Sequence, residues 1–350
     1  MSIRRAGRRT MVAAVLAACL LGSGSQALAE PAPAAPNVVT AEVVAPGGSY
    51  VKKVEALDAR NVRLHIHSAA MNKTLLVDVL RPADTSVPRP SLYLLNGAGG
   101  GVDSASWQRM TDALEFLGDK NVNVVQVIGG AWTFYTDWKS TDPVLGVNKW
   151  QTYISQELPP LIDSVLGTNG VNAIAGLSMS GVSVLNLAIA NPGLYRSAAV
   201  YSGLAQTSDP IGQNMVKLTV ETWGGGDAEN MWGPADDPLW KANDPILNAE
   251  GLRGTDLFVS TGTGIPGVYD EPGGKFRLEK PEDTPQTVAI GAVIEAGVLW
   301  STHNLDNRLR ELGIPATFVY RDSGTHSWGY WQDDLKASWP LLEKGLNSQP

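Results

Sequence analysis

One cysteine, Cys19, occurs in 350 residues. No intrachain disulfide can form, so the fold must be held by its core. Histidine is nearly as scarce: His65, His67, His303 and His326 are the only four, which narrows the search for a catalytic base. Long apolar runs are also missing. Beyond Met11–Leu21 no stretch approaches the roughly 20 residues that a membrane-spanning helix requires. Basic charge is in deficit, with 27 Lys and Arg against 35 Asp and Glu and a net charge of −8. Four of the basic residues, Arg4, Arg5, Arg8 and Arg9, fall in the first 29 residues with no acid among them, so the rest carries 23 against 35, or −12. An acidic body argues against a nucleic-acid partner, whose affinity rests on clustered Lys and Arg. With 43% hydrophobic and 18% charged residues the chain is not disordered. Its length suffices for one large domain burying about 75% of its unfolded surface.

The first 29 residues have the layout of an export signal: a basic start, the apolar Met11–Leu21, and Ala27-Leu28-Ala29 as a small-x-small cleavage pattern. The expected mature chain begins near Glu30 and works outside the cytoplasmic membrane, secreted or in the cell envelope, with no transmembrane segment. Arg8-Arg9 fits a twin-arginine route or a general one. Leu16-Ala17-Ala18-Cys19 has the shape of a lipidation box, but the cut after Ala29 leaves a longer apolar core and ranks ahead. Residues 30–37 read as a Pro/Ala-rich tether, and 38–348 as a single catalytic domain.

Within that domain short apolar runs alternate with amphipathic stretches. Ser91–Leu95, Val122–Ile128, Ala173–Leu177, Ala198–Tyr201, Leu257–Val259 and Ala316–Tyr320 read as strands; Trp107–Leu117, Trp150–Leu166, Val182–Ala190 and Ala289–Leu312 have helical spacing. This alternation predicts an α/β fold with a mostly parallel central sheet and helices on both faces. Residues 205–248, rich in Gly, Trp, Asp and Pro, are too irregular for sheet core and read as an insertion or lid.

The strongest chemical signal is Gly176-Leu177-Ser178-Met179-Ser180-Gly181, set between a strand and a helix. A serine on such a turn projects its hydroxyl above the sheet, and small neighbours are required because the turn is crowded. An ordinary Gly/Ser turn is the competing reading, which the strand-turn-helix context disfavours. In the order Ser, acid, His of the α/β-hydrolase arrangement, the base must follow Ser178, leaving His303 and His326. His326 lies in a polar Gly-containing loop after a strand, where these folds place catalytic groups; His303 lies in a helical stretch where a solvated or packed ring is expected. His65 and His67 alternate on an early strand, with no acid or thiol ligand beside them for a metal. The acid is open among Asp270, Glu271, Glu279, Glu282, Asp283 and Glu295, of which Glu295 has the most apolar flanks. An oxyanion hole requires two backbone N–H donors. Met179 is one expected donor, and the Gly-rich loop Asn96–Gly101 supplies the other; no fingerprint of a phosphate-binding loop follows it.

Several segments in order, among them Tyr93-Leu94-Leu95, Phe134-Tyr135-Thr136-Asp137-Trp138, Lys149-Trp150, Gly176-Leu177-Ser178-Met179, Ser202-Gly203, Met231-Trp232-Gly233-Pro234, Asn243-Asp244-Pro245 and Gly324-Thr325-His326-Ser327-Trp328, resemble the secreted antigen 85 mycolyltransferases. The resemblance runs from about Ser91 to Trp331. It implies an α/β-hydrolase fold and transfer of a mycolyl chain from trehalose monomycolate to a second such molecule or to cell-wall arabinogalactan, with no cofactor and no metal. It implies Ser178 as nucleophile, His326 as base, Glu295 as acid, Ala98 and Met179 as oxyanion donors, and Asn96, Gly99 and Trp328 beside the sugar. The chain departs from the family at Asn96-Gly97-Ala98-Gly99, where an acid and an arginine that help hold trehalose are absent. It departs again at Ser260, which replaces a common cysteine and should remove sensitivity to thiol reagents, and over Gly264–Gln286. A secreted carboxylesterase using water, and a non-catalytic adhesion member of the family, are the alternatives; the presence of Ser178, His326 and Glu295 disfavours the latter.

Overall fold

The computed structural model of the protein describes residues 43–103, 105–271 and 284–348. The expected export signal, the tether, and the candidate acids Glu279, Glu282 and Asp283 lie outside the described residues. Strands β1 (Tyr50–Ala56), β2 (Asn61–Ser68) and β3 (Lys73–Leu80) form an antiparallel meander. Burial in β2 alternates residue by residue, as expected of a strand with one face on the core. Strands β4 (Ser91–Leu95), β5 (Asn123–Ile128), β6 (Asn172–Leu177), β7 (Ser197–Tyr201), β8 (Asp256–Thr261) and β9 (Thr317–Tyr320) run parallel to one another, and β3 joins them antiparallel through β5. The resulting sheet has the order β1-β2-β3-β5-β4-β6-β7-β8-β9.

Every residue of β4, β6 and β7 is buried, which is why they read as unbroken apolar runs. Helices cover both faces: α1 (Trp107–Met110), α2 (Ala113–Leu117), α3 (Trp150–Thr152), α4 (Leu158–Leu166), α5 (Met179–Ala190), α6 (Pro210–Lys217), α7 (Ala228–Trp232), α8 (Pro238–Ala242), α9 (Thr284–Glu311) and α10 (Trp328–Leu346). Tyr93, Ile174 and Val200 share a core with Leu158 and Ile162 of α4 and Val184 of α5. Their strand neighbours Leu94, Ala175 and Tyr201 pack on the opposite face with Trp107 of α1 and Trp331, Leu335 and Trp339 of α10. The two-residue period of each strand therefore feeds two separate cores.

Three helices differ from the sequence reading, α9 among them, whose described part begins at Thr284 rather than at Ala289. The expected helix Trp107–Leu117 is broken at Thr111, whose backbone is extended; its hydroxyl donates to Trp107 O and accepts from Ala113 N, so a side chain replaces the helical ladder. Helix α5 starts three residues earlier than the apolar spacing indicates, directly after Ser178. The helical reading of Trp150–Leu166 agrees with the structure, with a π-helical turn at Tyr153–Glu157 between α3 and α4.

Between β7 and β8 the insertion is helical. Asp209, Asp227 and Asp237 each accept backbone N–H bonds at the start of α6, α7 and α8, and Pro210 and Pro238 occupy first turns, where no donor is needed. Fully buried Asp244 closes the segment: Oδ2 accepts from Thr207 N, Ser208 N and Ser208 Oγ, and Oδ1 from Ile246 N and Leu247 N.

Close approach of α5 to the chain after β7 fixes the turn at Ser178. A β-carbon on Gly181 would fall 2.4 Å from Gly203 Cα, so the two backbones touch. Gly181→Ala is expected to overpack this contact at a cost of about 1–3 kcal/mol, read as a lowered midpoint in thermal unfolding; an unchanged midpoint would show that α5 can move away freely.

Candidate active site

Ser178 joins β6 to α5 with φ 54° and ψ −125°, a strained conformation for a residue with a side chain. Neighbours hold it there. Ser180 Oγ both donates to Leu177 O and accepts from Leu177 N at 2.9 Å, and Ser178 N donates to Tyr201 O on β7 at 3.0 Å. Ser180 thus tolerates the crowded turn and also anchors the end of β6. The turn lies at the C-terminal end of the parallel strands, where β8 and β9 also deliver their following loops.

His326 follows β9, and Glu295 lies on α9. Ser178 Oγ is 2.7 Å from His326 Nε2, and His326 Nδ1 is 2.9 Å from Glu295 Oε2. An ionised carboxylate can only accept, so Nδ1 carries the ring proton and Nε2 presents its lone pair to the Ser178 hydroxyl. Glu295 is fully buried. Its other oxygen, Oε1, accepts from Ser202 Oγ at 2.6 Å, Gly262 N at 2.6 Å, Thr261 Oγ1 at 3.1 Å and Arg321 Nη2 at 3.3 Å. Burial alone would push this carboxyl up; the bond and charge of His326, with the Ser202 and Gly262 donors, outweigh it and hold the group below its ordinary value. Ser202 itself has φ 46°, a second strained position at the site.

The other candidates are elsewhere. Asp270 accepts from Thr325 N at 3.1 Å, Gly267 N at 2.9 Å and Tyr330 OH at 2.8 Å, and also from Thr325 Oγ1, so it clamps the loop before His326 without touching the ring. Glu271 is exposed. His303 is exposed on α9 and stacks on Tyr320 at 4.4 Å. His65 pairs with Glu55 at 3.0 Å and His67 packs on Tyr50 at 4.9 Å. Among the described residues no group of three or more His, Cys, Asp or Glu could hold a metal ion. Ser260 is buried in β8.

A cleft of about 740 Å³ opens over Ser178. Ala98 and Met179 line it beside the serine. Met179 is the first residue of α5, so its N–H has no partner within the helix and is free to serve a ligand. Gly97 brings the other loop close: a β-carbon there would fall 2.7 Å from Leu177 Cδ1 and 3.5 Å from Ser178 Cβ. The three residues expected beside the sugar are not among those that line the cleft. Asn96 is buried and accepts from Trp107 N at 3.1 Å, serving the start of α1. Gly99 lies against the Asp103 carboxylate. Trp328 packs edge-to-face on Trp107 at 5.8 Å and on Trp331 at 5.1 Å, inside the core. The ring that meets His326 is Trp331, at 4.8 Å.

The cleft walls went largely unseen in the sequence. Met215, Leu218 and Trp223 come from the insertion, Ile294 and Val298 from the turns of α9 around Glu295, and Phe134 from a loop in which Trp132, Phe134 and Tyr135 all have positive φ. The helical spacing of Ile294 and Val298 was a usable signal, since i and i+4 share a face. Among the described residues that line the cleft, none is Asp, Glu, Lys or Arg.

Comparison with known proteins agrees with this geometry. The family model Esterase matches residues 68–342. The diacylglycerol acyltransferase/mycolyltransferase Ag85A of Mycobacterium leprae is 32% identical over 295 residues, covering 82% of this chain and 84% of the relative. Ag85B of the same organism is 33% identical over 297 residues, covering 82% and 84%. The crystal structure of Mycobacterium tuberculosis MPT51 (FbpC1) superposes with a TM-score of 0.67 at 26% identity, covering 81% of this chain and 98% of that one. The chain, an α/β-hydrolase fold, therefore belongs to the esterase family and within it to the antigen 85 group of diacylglycerol acyltransferase/mycolyltransferases.

Proposed function

We propose that this enzyme transfers a mycolyl or comparable long acyl chain from trehalose monomycolate to a second trehalose monomycolate or to cell-wall arabinogalactan, through an ester on Ser178. The observation that carries the reading is the continuous relay from Ser178 Oγ through His326 to Glu295, at 2.7 and 2.9 Å, opening on an apolar cleft.

In the first step Ser178 Oγ attacks the ester carbonyl carbon as its proton passes to His326 Nε2. The N–H groups of Ala98 and Met179 hold the oxyanion. The carbonyl carbon's bond to the first sugar oxygen then breaks, that oxygen takes the proton from Nε2, and the acyl group remains on Ser178. In the second step a sugar hydroxyl gives its proton to Nε2, attacks the acyl carbon, and Ser178 leaves with the proton returned to it. Glu295 keeps Nδ1 protonated and stabilises the imidazolium in both steps. Met215, Leu218, Ile294 and Val298 offer the acyl chain an apolar wall. An oriented acceptor hydroxyl outcompetes water because positioning is worth effective molarities of about 10⁵ M or more.

One observation favours a second reading. With no charged side chain on the described cleft wall except the His326 ring when protonated, the sugar lacks a strong anchor, and water as acceptor would make the protein a carboxylesterase. Residues 1–29 are proposed to direct export and 30–37 to tether a single catalytic domain spanning 38–348, so the working protein lies outside the cytoplasmic membrane; no helix among the described residues is long and apolar enough to span one.

Ser178→Ala is expected to abolish acyl transfer, and Glu295→Gln to lower kcat by about 10²–10⁴ with the fold intact, because the imidazole tautomer is then no longer enforced. Steady-state rates with circular dichroism as a fold control check both, and full activity in either variant rejects the assignment. Incubated with a long-chain trehalose monoester, the protein should yield diester; free fatty acid without diester would leave only the carboxylesterase reading. N-terminal sequencing of the exported protein should begin at Glu30, and an uncut chain would reject the export signal.

A further inference from the structure

A second buried ion pair reaches the proposed acid, and the reaction scheme leaves it unused. Arg321 lies just after β9, and its backbone N–H donates to Thr261 O at 2.9 Å. Its Nη2 is 3.1 Å from Ser202 Oγ and 3.3 Å from Glu295 Oε1, while Nη1 donates to Asp334 of α10. The guanidinium also lies over the Tyr330 ring at 5.3 Å. The side chains are 15% exposed for Arg321 and 5% for Asp334, so neither charge is solvated in the ordinary way.

A fixed cation beside a triad carboxylate has two opposed effects. It orients the carboxylate: with Oε1 occupied by four donors, Oε2 is left facing His326. It also repels the imidazolium that the reaction must form, which would lower the basicity of His326. A second carboxylate on the far side of the cation cancels the repulsion and keeps the orientation. We propose that Arg321 is a positioning residue that acts on His326 through Glu295, and that Asp334 is the counter-charge that lets it do so without weakening the base.

The charged and titratable surroundings are few. His326 faces Ser178, Glu295 and the Trp331 ring. Glu295 faces Arg321 and the uncharged donors Ser202, Thr261 and Gly262. Asp334 faces Arg321, and Glu295 and Tyr201 of β7, whose hydroxyl is 2.7 Å from Ser338 Oγ, lie within electrostatic range of it. Asp270 lies beyond Thr325 with its oxygens engaged by Thr325, Gly267 and Tyr330, and Asp322 is exposed. Burial, with the Glu295 charge adding to it, holds the Asp334 carboxyl above its ordinary value although Arg321 pulls it down.

Arginine cannot shed its charge in a protein, so removing Asp334 leaves an uncompensated cation. The inference rests on the Ser178, His326, Glu295 triad, and the test separates the two. The probe is hydrolysis of p-nitrophenyl butyrate, with the acid limb of kcat/KM reporting His326. Asp334→Asn is expected to move that limb to lower pH by about 0.5–1 unit, the size of one nearby charge in a partly solvated interior. Adding Arg321→Met to it should return the limb towards that of the unmodified protein while kcat stays several-fold lower, because Oε1 has lost an orienting donor. Arg321→Lys should keep the limb in place and lower kcat. Asp334→Ser, which leaves room for water beside Arg321, carries the same expectation and serves if Asp334→Asn does not fold. An unmoved limb in the Asp334 variants, or a lowered limb that Arg321→Met does not restore, overturns the inference. Hydrolysis that survives Ser178→Ala overturns the triad instead.

Discussion

A carboxylate cannot be buried without enough donors to replace water, and at Glu295 that requirement organises the whole C-terminal end of the sheet. The donors to Oε1 come from three different segments: Ser202 after β7, Thr261 and Gly262 at the end of β8, and Arg321 after β9. Adjacent parallel strands end side by side, so the topology itself brings these segments to one point. With Oε1 satisfied in this way, Oε2 remains for His326 Nδ1, and the ring is turned so that Nε2 meets Ser178. The proposed triad is thus an outcome of how one buried charge is satisfied.

The side of the site that carries Ser178, the proposed nucleophile, is built on close packing. Ser178 is held at an unfavourable φ because Ser180 bonds back to Leu177, Ser178 N bonds to β7, and α5 presses on the chain at Gly203. Strain of this kind persists only where the surroundings over-determine it. Above the turn the insertion and α9 supply an apolar wall. Glu295 and the wall residues Ile294 and Val298 lie on the same helix, so the proposed acid and the apolar wall proposed for the acyl chain are positioned together. An apolar cleft also strengthens the electrostatics within it, since fewer waters compete for the oxyanion.

Much of this was legible in the sequence for simple physical reasons. The parallel strands are apolar on both faces and stood out as runs; the serine turn was visible because only small residues fit it; and four histidines left little choice of base. Glu295 was different. Six carboxylates were compatible with the chain order, and family resemblance rather than spacing separated them, because the donors that justify its burial come from residues 26 to 93 positions away along the chain. Asp270 has a similarly buried carboxylate and a similar position in the sequence, yet it serves Thr325. Asn96 and Trp328 were expected beside a sugar by motif alone, and their packing left no mark in the sequence: Asn96 serves the start of α1, and Trp328 packs edge-to-face on Trp107 and Trp331. Arg321 and Asp334 had no local signature at all, since an ion pair between a loop and a later helix leaves no period in the sequence.

Everything proposed for this site requires the acyl group to pass through Ser178. This requirement is tested most directly by mixing the protein with a long-chain trehalose monoester, quenching in acid, and locating any added acyl mass by peptide mass spectrometry. An ester on the peptide containing Ser178 is expected, formed at least as fast as product appears. Product formation with no acyl-enzyme, or with the acyl group on another residue, would contradict it.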